Sequence, residues 1–257
     1  MERNLLLTIQ YDGSGYHGWQ VQENARSVQG VFQEALRSVL GTQPDIKSCS
    51  RTDTGVHARE FCISMKLDHG IPAERLPGAL NHFLPPDIAV LGCRQVPPDF
   101  HARYSCRGKR YVYEIWNHPV RNPFLRGRAL HYYHPIDAEK LDAAAQHFIG
   151  RHDFTSFCTL DKREVGDFSR TVTESRVTRD GDMVRFRVAA DGFLYNMVRI
   201  MTGTLLGVQQ GRFAPADIPE ILRCRDRSRA GATAPACGLY LQKVFYDLPP
   251  QTAGNRG

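Results

Sequence analysis

Between residues 28 and 40 apolar side chains recur at helical spacing (Val28, Val31, Phe32, Ala35, Leu36, Val39), with Ser27 before them as an N-cap and Gly41 after them as a stop. That pattern predicts a helix. Residues 4–11 are rich in Leu and Ile and end at Asp12-Gly13, which predicts a strand. Residues 46–50 and 60–67 are strand-like. In the second of these Phe61, Ile63, Met65 and Leu67 alternate with smaller or polar residues. A helix is predicted over residues 72–83, closed by Pro85-Pro86, and a strand over 88–96. The first hundred residues thus run β-α-β-β-α-β, the ferredoxin-like order.

The second half resembles this plan. Residues 110–116 form an aromatic-rich strand. Asp137 caps a helix over 138–148, which Gly150 ends. Strands over 171–178 and 183–189 flank Asp180-Gly181, a strong hairpin signal. Residues 193–207 read as a helix and 239–245 as a closing strand. No sequence repeat is visible, only a repeated order of elements. The expected organisation is an N-terminal domain over residues 1–104, a C-terminal domain over 105–247, and a flexible tail over 248–257. With no Gly/Ser linker, the halves are expected to pack as one body.

Composition narrows the class. The 257 residues are 42% hydrophobic and 23% charged, the balance of a folded globular protein. The net charge is +6, and 27 of the 33 basic residues are arginine, whose planar fork suits phosphate. Charge alone fits a polyanion binder and an ordinary basic enzyme equally well, and the arginine bias also fits genomic base composition. Seven widely spaced cysteines with no CxxC argue against a disulfide framework or a cysteine-based zinc site. No segment reads as a signal peptide or a membrane span, so a cytoplasmic protein is expected. His131-x-x-His134 lacks an evident third metal ligand, and no metal is expected.

The chemistry concentrates in Ser50-Arg51-Thr52-Asp53-Thr54-Gly55-Val56-His57-Ala58, between two strand-like segments. Such a loop can be merely a turn, with Asp53 capping the backbone and Gly55 at positive φ. The residue order points further. RTDTGVHA resembles the catalytic loop of the TruA family of tRNA pseudouridine synthases, and four other segments match that family in the same order. They are Tyr11-Asp12-Gly13 with Tyr16-His17-Gly18-Trp19-Gln20; Phe100-His101-Ala102-Arg103 with Arg110-Tyr111-Val112-Tyr113; Gly192-Phe193-Leu194-Tyr195-Asn196-Met197-Val198-Arg199; and Ala232-Thr233-Ala234-Pro235 with Gly238-Leu239-Tyr240-Leu241. The resemblance covers residues 4–247. Ser50 stands where the family often has Gly and Thr54 where Ala is common, which leaves Arg51, Asp53, Gly55 and His57 in place.

The resemblance implies an α+β enzyme of two ferredoxin-like, RRM-like halves, whose antiparallel sheets form one continuous surface around a basic active-site cleft. It implies isomerisation of uridine to pseudouridine at positions 38, 39 and 40 of the tRNA anticodon stem-loop. That reaction breaks the C1′–N1 bond and rejoins the base through C5, so no redox cofactor, nucleotide or metal is expected. The absence of GxGxxG, Walker A and HExxH motifs agrees. Asp53 is the implied catalytic carboxylate, and attack on C1′, addition to C6 or removal of a sugar proton are all open to it. Arg199 is its implied partner, since an adjacent cation keeps a buried carboxyl ionised. Tyr111 is the implied platform for the flipped base and a candidate for the C5 proton, although Tyr111, Tyr113 and Trp116 could equally be core aromatics. Leu239 would wall the pocket and Arg51 would help to extrude the base. The arginines of three basic clusters (Arg103, Arg107, Lys109, Arg110; Arg121, Arg126, Arg128; Arg223, Arg225, Arg227, Arg229) would meet phosphates. Family members are homodimers that take tRNA across both subunits. Two rivals remain at this point. One is a non-catalytic RRM-like RNA-binding module, which leaves the Asp53 loop idle. The other is a nucleoside glycosidase, which needs a second acid close to Asp53.

Overall fold

The computed structural model describes residues 2–159 and 166–249, so the expected tail, beyond Pro249, lies outside the described residues. It has a mixed α+β fold, and its described residues divide into two units.

The first unit takes residues 1–54, 58–107 and the end of the chain from Lys243. It contains β1 (Arg3–Tyr11), α1 (Val28–Leu40), β2 (Ile46–Ser48), β3 (His57–Leu67, from Ala58 on), α2 (Leu76–Phe83) and β4 (Ile88–Val96). β1 lies antiparallel between β4 and β3, and β2 pairs with β3 at Ile46↔Met65. This is the β-α-β-β-α-β order expected. α1 has the predicted bounds. The Ser27 side chain accepts the Gly30 N–H, and Gly41 closes the helix at φ +71. Leu5, Leu7, Ile9, Phe32, Leu36 and Phe61 are fully buried and form the core of this unit. β3 is buried on both faces along its middle, so Cys62 and Ser64 are inside as well as Phe61, Ile63 and Met65.

α2 begins at Leu76, not at residue 72. Pro77 falls in the first turn, where a missing N–H costs nothing; a helix begun four residues earlier would have put it in the interior.

The second unit takes Gly55–His57 and Gly108–Gln242. It contains β5 (Cys106–Trp116, from Gly108 on), β6 (Leu130–His131), α3 (Ala138–Gln146), β7 (Gly150–Asp153), β8 (Ser169–Asp180), β9 (Met183–Ala190), α4 (Met197–Gln209), α5 (Ile218–Cys224) and the start of β10 (Leu239–Tyr246). The β5–β9, β9–β8 and β8–β7 pairings are antiparallel, and the short β6 runs parallel to β5. Gly181, at φ +55, opens the predicted hairpin. α3 is bonded to β8: Asp142 accepts the Val177 N–H (2.7 Å) and Ser175 donates to the Ala145 carbonyl (2.7 Å).

Three expectations shift here. α3 ends at Gln146, and its last turn tightens through i→i+3 bonds from Phe148 and Ile149. Gly150, at φ +112, opens β7 rather than ending the helix directly. α4 begins at Met197, not residue 193, because Asn196 is left-handed (φ 61) and interrupts helical geometry. The short elements α5, β6 and β7 have no counterpart in the sequence reading.

Replacing Ser27 by Ala removes the cap of α1 and is expected to lower stability by about 1 kcal/mol. Urea unfolding should show a lower midpoint with an unchanged slope.

Candidate active site

The RTDTGVHA segment is divided between the units: residues 51–54 belong to the first, Gly55–His57 to the second. In the first unit the loop is braced from below. The Thr52 hydroxyl hydrogen-bonds Tyr11 Oη (2.8 Å), and the Thr52 carbonyl accepts the Trp19 N–H (3.1 Å). Trp19 is 1% exposed and packs on Phe61 with ring centroids 4.2 Å apart. Gly18, at φ +85, lies so close that a methyl group there would stand 2.5 Å from the Thr52 carbonyl oxygen. The Tyr-His-Gly-Trp-Gln motif is therefore the support of the Asp53 loop. Asp53 is half-buried and Arg51 is exposed.

The Phe100–Arg103 motif is a turn pinned in the same unit. Asn4 donates to the Phe100 carbonyl (2.8 Å), the Ala102 N–H to Ser64 Oγ (2.9 Å) and Tyr246 Oη to the Ala102 carbonyl (2.6 Å). Arg103 projects from this turn, exposed, beside His101 and the exposed Tyr104. Burial and the nearby Lys47 hold the His101 imidazole below its ordinary pKa. Arg107 is exposed and ion-paired with Asp247 (2.6 Å). Glu60, the next acid after Asp53, accepts the Val244 N–H (3.2 Å).

In the second unit Gly55, at φ +76, contacts Ala236, and the buried His57 stacks on Tyr240 (4.5 Å) with its Nε2 3.2 Å from the Cys237 carbonyl. Tyr111 and Tyr113 face the same way on β5. Tyr111 is buried and meets Phe193 edge-on (4.9 Å). Tyr113 is fully buried, and burial first, then Cys237, raise its phenol pKa, so it stays protonated and donates to the Pro235 carbonyl (2.7 Å). Arg199 is half-buried. It donates from Nε to the neighbouring Ala234 carbonyl (2.8 Å) and from Nη1 to Asn196 Oδ1 (2.8 Å), and its own carbonyl accepts the Ala234 N–H (3.1 Å). Tyr113 and Arg199 therefore converge on adjacent carbonyls of one segment. Leu239, buried, follows three residues after that segment's Ala236.

The segment is seated backbone on backbone against α4. A methyl at Gly203 would lie 1.7 Å from the Ala232 carbonyl oxygen, and one at Gly231 2.5 Å from the Gly203 carbonyl carbon. Gly231 N–H donates to Thr204 Oγ1 (2.9 Å), and Arg227 donates to the Gly231 carbonyl (2.9 Å) and Thr233 Oγ1 (3.2 Å). Gly238 is equally close-packed, with Tyr113 ring atoms 2.7 Å from a would-be Cβ. The second unit thus gathers Tyr113 and Arg199 on residues 234–235, four residues before Leu239, while Tyr111 lies against Phe193. Arg110 is half-buried and held by Glu174 (2.7 Å). Tyr113, Asn196, Thr204 and Arg227 escaped the sequence reading as parts of this scaffold. Their signal was their proximity to matched motifs, but their contacts are long-range. Among the described residues no group of three His, Cys, Asp or Glu is arranged to hold a metal ion, and no helix is long and apolar enough to cross a membrane.

Comparison with known proteins now defines the class. The family model described as tRNA pseudouridine synthase matches residues 7–105 and 144–247. A tRNA pseudouridine synthase A of Acetivibrio thermocellus is 44% identical over 244 residues, covering 95% of this chain and all of the relative. Relatives of the same description from Thermoanaerobacter sp. (strain X514) and Ruminiclostridium cellulolyticum are 43% and 42% identical, each likewise over 95% of this chain and their full length. The chain belongs to the TruA family of tRNA pseudouridine synthases. It is accordingly an isomerase that modifies tRNA.

Replacing Gly203 by Ala drives a methyl group into backbone and is expected to cost about 3 kcal/mol, the upper end for overpacking. Thermal unfolding checks it; the same change at Gly41, beside which no atom lies within 4 Å, strains only its left-handed cap and is the milder comparison.

Proposed function

We propose that the chain converts uridine to pseudouridine at positions 38, 39 and 40 of the tRNA anticodon stem-loop, with Asp53 as the one catalytic carboxylate acting on a flipped-out base. The observation that carries the reading is the Asp53 loop itself, which keeps Arg51, Asp53, Gly55 and His57 and is braced at the Thr52 carbonyl by Gly18 and Trp19 and at the Thr52 hydroxyl by Tyr11. A carboxylate on a rigid support suits a reaction whose barrier falls by positioning.

The bond changes balance without a co-reactant. The C1′–N1 bond breaks, the base turns, a C1′–C5 bond forms, and C5 loses its proton while N1 gains one. A flipped base needs a platform, and the buried Tyr111 edge against Phe193 supports an aromatic floor there. Leu239 supplies an apolar wall. Arg199, held on Ala234 and Asn196, has a fixed guanidinium fit to keep a carboxylate ionised. Arg51 and Arg103, both exposed, are assigned to the RNA; Arg107 and Arg110 serve it only by exchanging Asp247 and Glu174 for phosphate. The commitment of Glu60 to Val244 favours isomerisation over a two-carboxylate hydrolysis. The reading carries with it two ferredoxin-like halves, residues 1–104 and 105–247, whose sheets form one surface around a basic cleft. It also carries a homodimer, a cytoplasmic setting and no cofactor.

The test is tritium release from tRNA labelled at uridine C5. Wild-type protein should release tritium, and Asp53→Asn should lower the rate by about 10²–10⁴-fold while still binding tRNA. Equal release by the variant would sink the role of Asp53, and free uracil as product would turn the reading to a glycosidase.

A further inference from the structure

The arginines of the three basic clusters are unequally engaged. In the last cluster Arg223 pairs with Glu220 (2.7 Å), Arg225 with Asp153 (3.0 Å), and Arg227 holds the backbone at Gly231. In the first, Arg107 and Arg110 pair with Asp247 and Glu174. Arg103, Lys109 and Arg229 have no such partner among the described residues, and the middle cluster differs in bringing two unpartnered guanidiniums to one hollow. Among the described residues neither the Arg121 nor the Arg126 guanidinium has an ion-pair or hydrogen-bond partner.

Both line one hollow of about 590 Å³ in the second unit, shared with Trp116, Asn122, Pro123 and His131. No carboxylate is among its lining residues. Its wall is a rigid turn at Pro123–Leu125: Asn122 Oδ1 caps the Phe124 N–H (3.0 Å), and the Arg126 N–H closes on the Pro123 carbonyl (3.3 Å). The turn fixes Arg121 and Arg126 at its two ends. Between them in the chain Phe124, which does not line the hollow, is 84% exposed, the most exposed large apolar side chain described. Opposite, the Trp116 indole donates to the Val120 carbonyl (2.9 Å), which ties the approach to Arg121 down to β5. The volume lies within the usual range for a small-ligand site, about 300–1,000 Å³.

Two uncompensated guanidiniums beside an exposed aromatic ring match the two halves of a nucleotide: phosphate for the cations, base for the ring. A second copy of the chain fits less well, because each copy carries +6 and the hollow offers no acid to receive an arginine. We propose that this hollow and the turn beside it form an RNA subsite, which takes an unpaired nucleotide of the tRNA with its phosphate in the hollow between Arg121 and Arg126 and its base outside it, against the exposed Phe124. The proposal rests on the tRNA reading above and adds a contact outside the residues assigned to the chemistry.

The experiment compares tRNA affinity at several salt concentrations for the wild type, Arg121→Gln/Arg126→Gln, Phe124→Ala and Arg223→Gln/Arg225→Gln. Loss of two phosphate contacts should flatten the slope of log affinity against log salt by about 2 in the first variant. Phe124→Ala should weaken binding roughly 5- to 150-fold, the worth of one base stack, with the slope unchanged. Arg223→Gln/Arg225→Gln should keep the wild-type slope. The proposal falls if Arg121→Gln/Arg126→Gln keeps the wild-type slope, or if both arginine pairs flatten it equally. It also falls if these variants change only the oligomeric state in size-exclusion chromatography, which would make the hollow a face between protein copies. Absence of tRNA binding by the wild type would overturn the tRNA reading as well, whereas wild-type binding and C5 tritium release with an insensitive hollow would overturn this subsite alone.

Discussion

α4 meets the segment that follows α5 so closely that the Gly203 Cα and the Ala232 carbonyl leave no room for a side chain, the tightest such spot among the described glycines. What surrounds them depends on that contact. Thr204 Oγ1 uses both of its capacities there, donating to the Ile200 carbonyl (2.9 Å) and accepting from Gly231 (2.9 Å). One turn earlier on α4, Arg199 and Ala234 exchange two hydrogen bonds, one from each backbone N–H or guanidinium to the other's carbonyl. Tyr113 then fixes Pro235, and Gly238 lies on the Tyr113 ring before β10 starts at Leu239. Shifting the crossing by the width of a methyl group would move Arg199, Tyr113 and Leu239 together. The precision of the site is thus inherited from glycine, not from the residues that would touch a base.

The same economy governs charge. A net charge of +6 describes the chain but not its free cations, because several guanidiniums are bonded within the protein. Arg179 bonds Asn117 and the Ile136 carbonyl, Arg185 bridges Glu114, and Arg227 bonds the backbone of the crossing segment. These guanidiniums act as multi-donor struts, a role that lysine cannot fill with one point charge. Such structural use offers a physical reason for 27 arginines against 6 lysines. What remains unpaired is then more telling than the total, and Arg121 and Arg126 are two such guanidiniums that line one hollow.

Local signals were legible and long-range ones were not. The α1 bounds, its cap and its stop all lie within residues 27–41 and could be read from spacing alone. So could β4 and the Gly181 hairpin. The helix starts failed where one residue's backbone decided the matter: Pro77 moved α2, and left-handed Asn196 moved α4. α5, β6 and β7 are short elements stabilised by tertiary contact, and their sequence periodicity is too brief to register. The Asp53 loop was legible as a motif. Its support was not, because the bond from Trp19 to Thr52 spans 33 positions and nothing near residue 52 announces it. Nor did the sequence separate Arg225 from Arg126: both stand in basic runs, and only the fold supplies Asp153 to one of them.

Carboxylate placement completes the physical picture. Around the first unit's loops Asp12 caps the Ser14 N–H (3.0 Å), Asp87 receives the Tyr16 phenol (2.6 Å) and Glu60 receives the Val244 N–H. Each of these acids is spent on a structural donor, and an acid so occupied is a poor base toward water. For a hydrolase that would be a defect, since hydrolysis needs one carboxylate for the sugar and another for the nucleophilic water. For an isomerase it is an advantage. Once the glycosidic bond is open, the detached base must return to C1′ before water reaches it, and a second competent carboxylate would activate that water. If Asp53 carries the chemistry as proposed, a fold that ties Asp12, Asp87 and Glu60 into turns and strand edges favours rejoining over loss of the base.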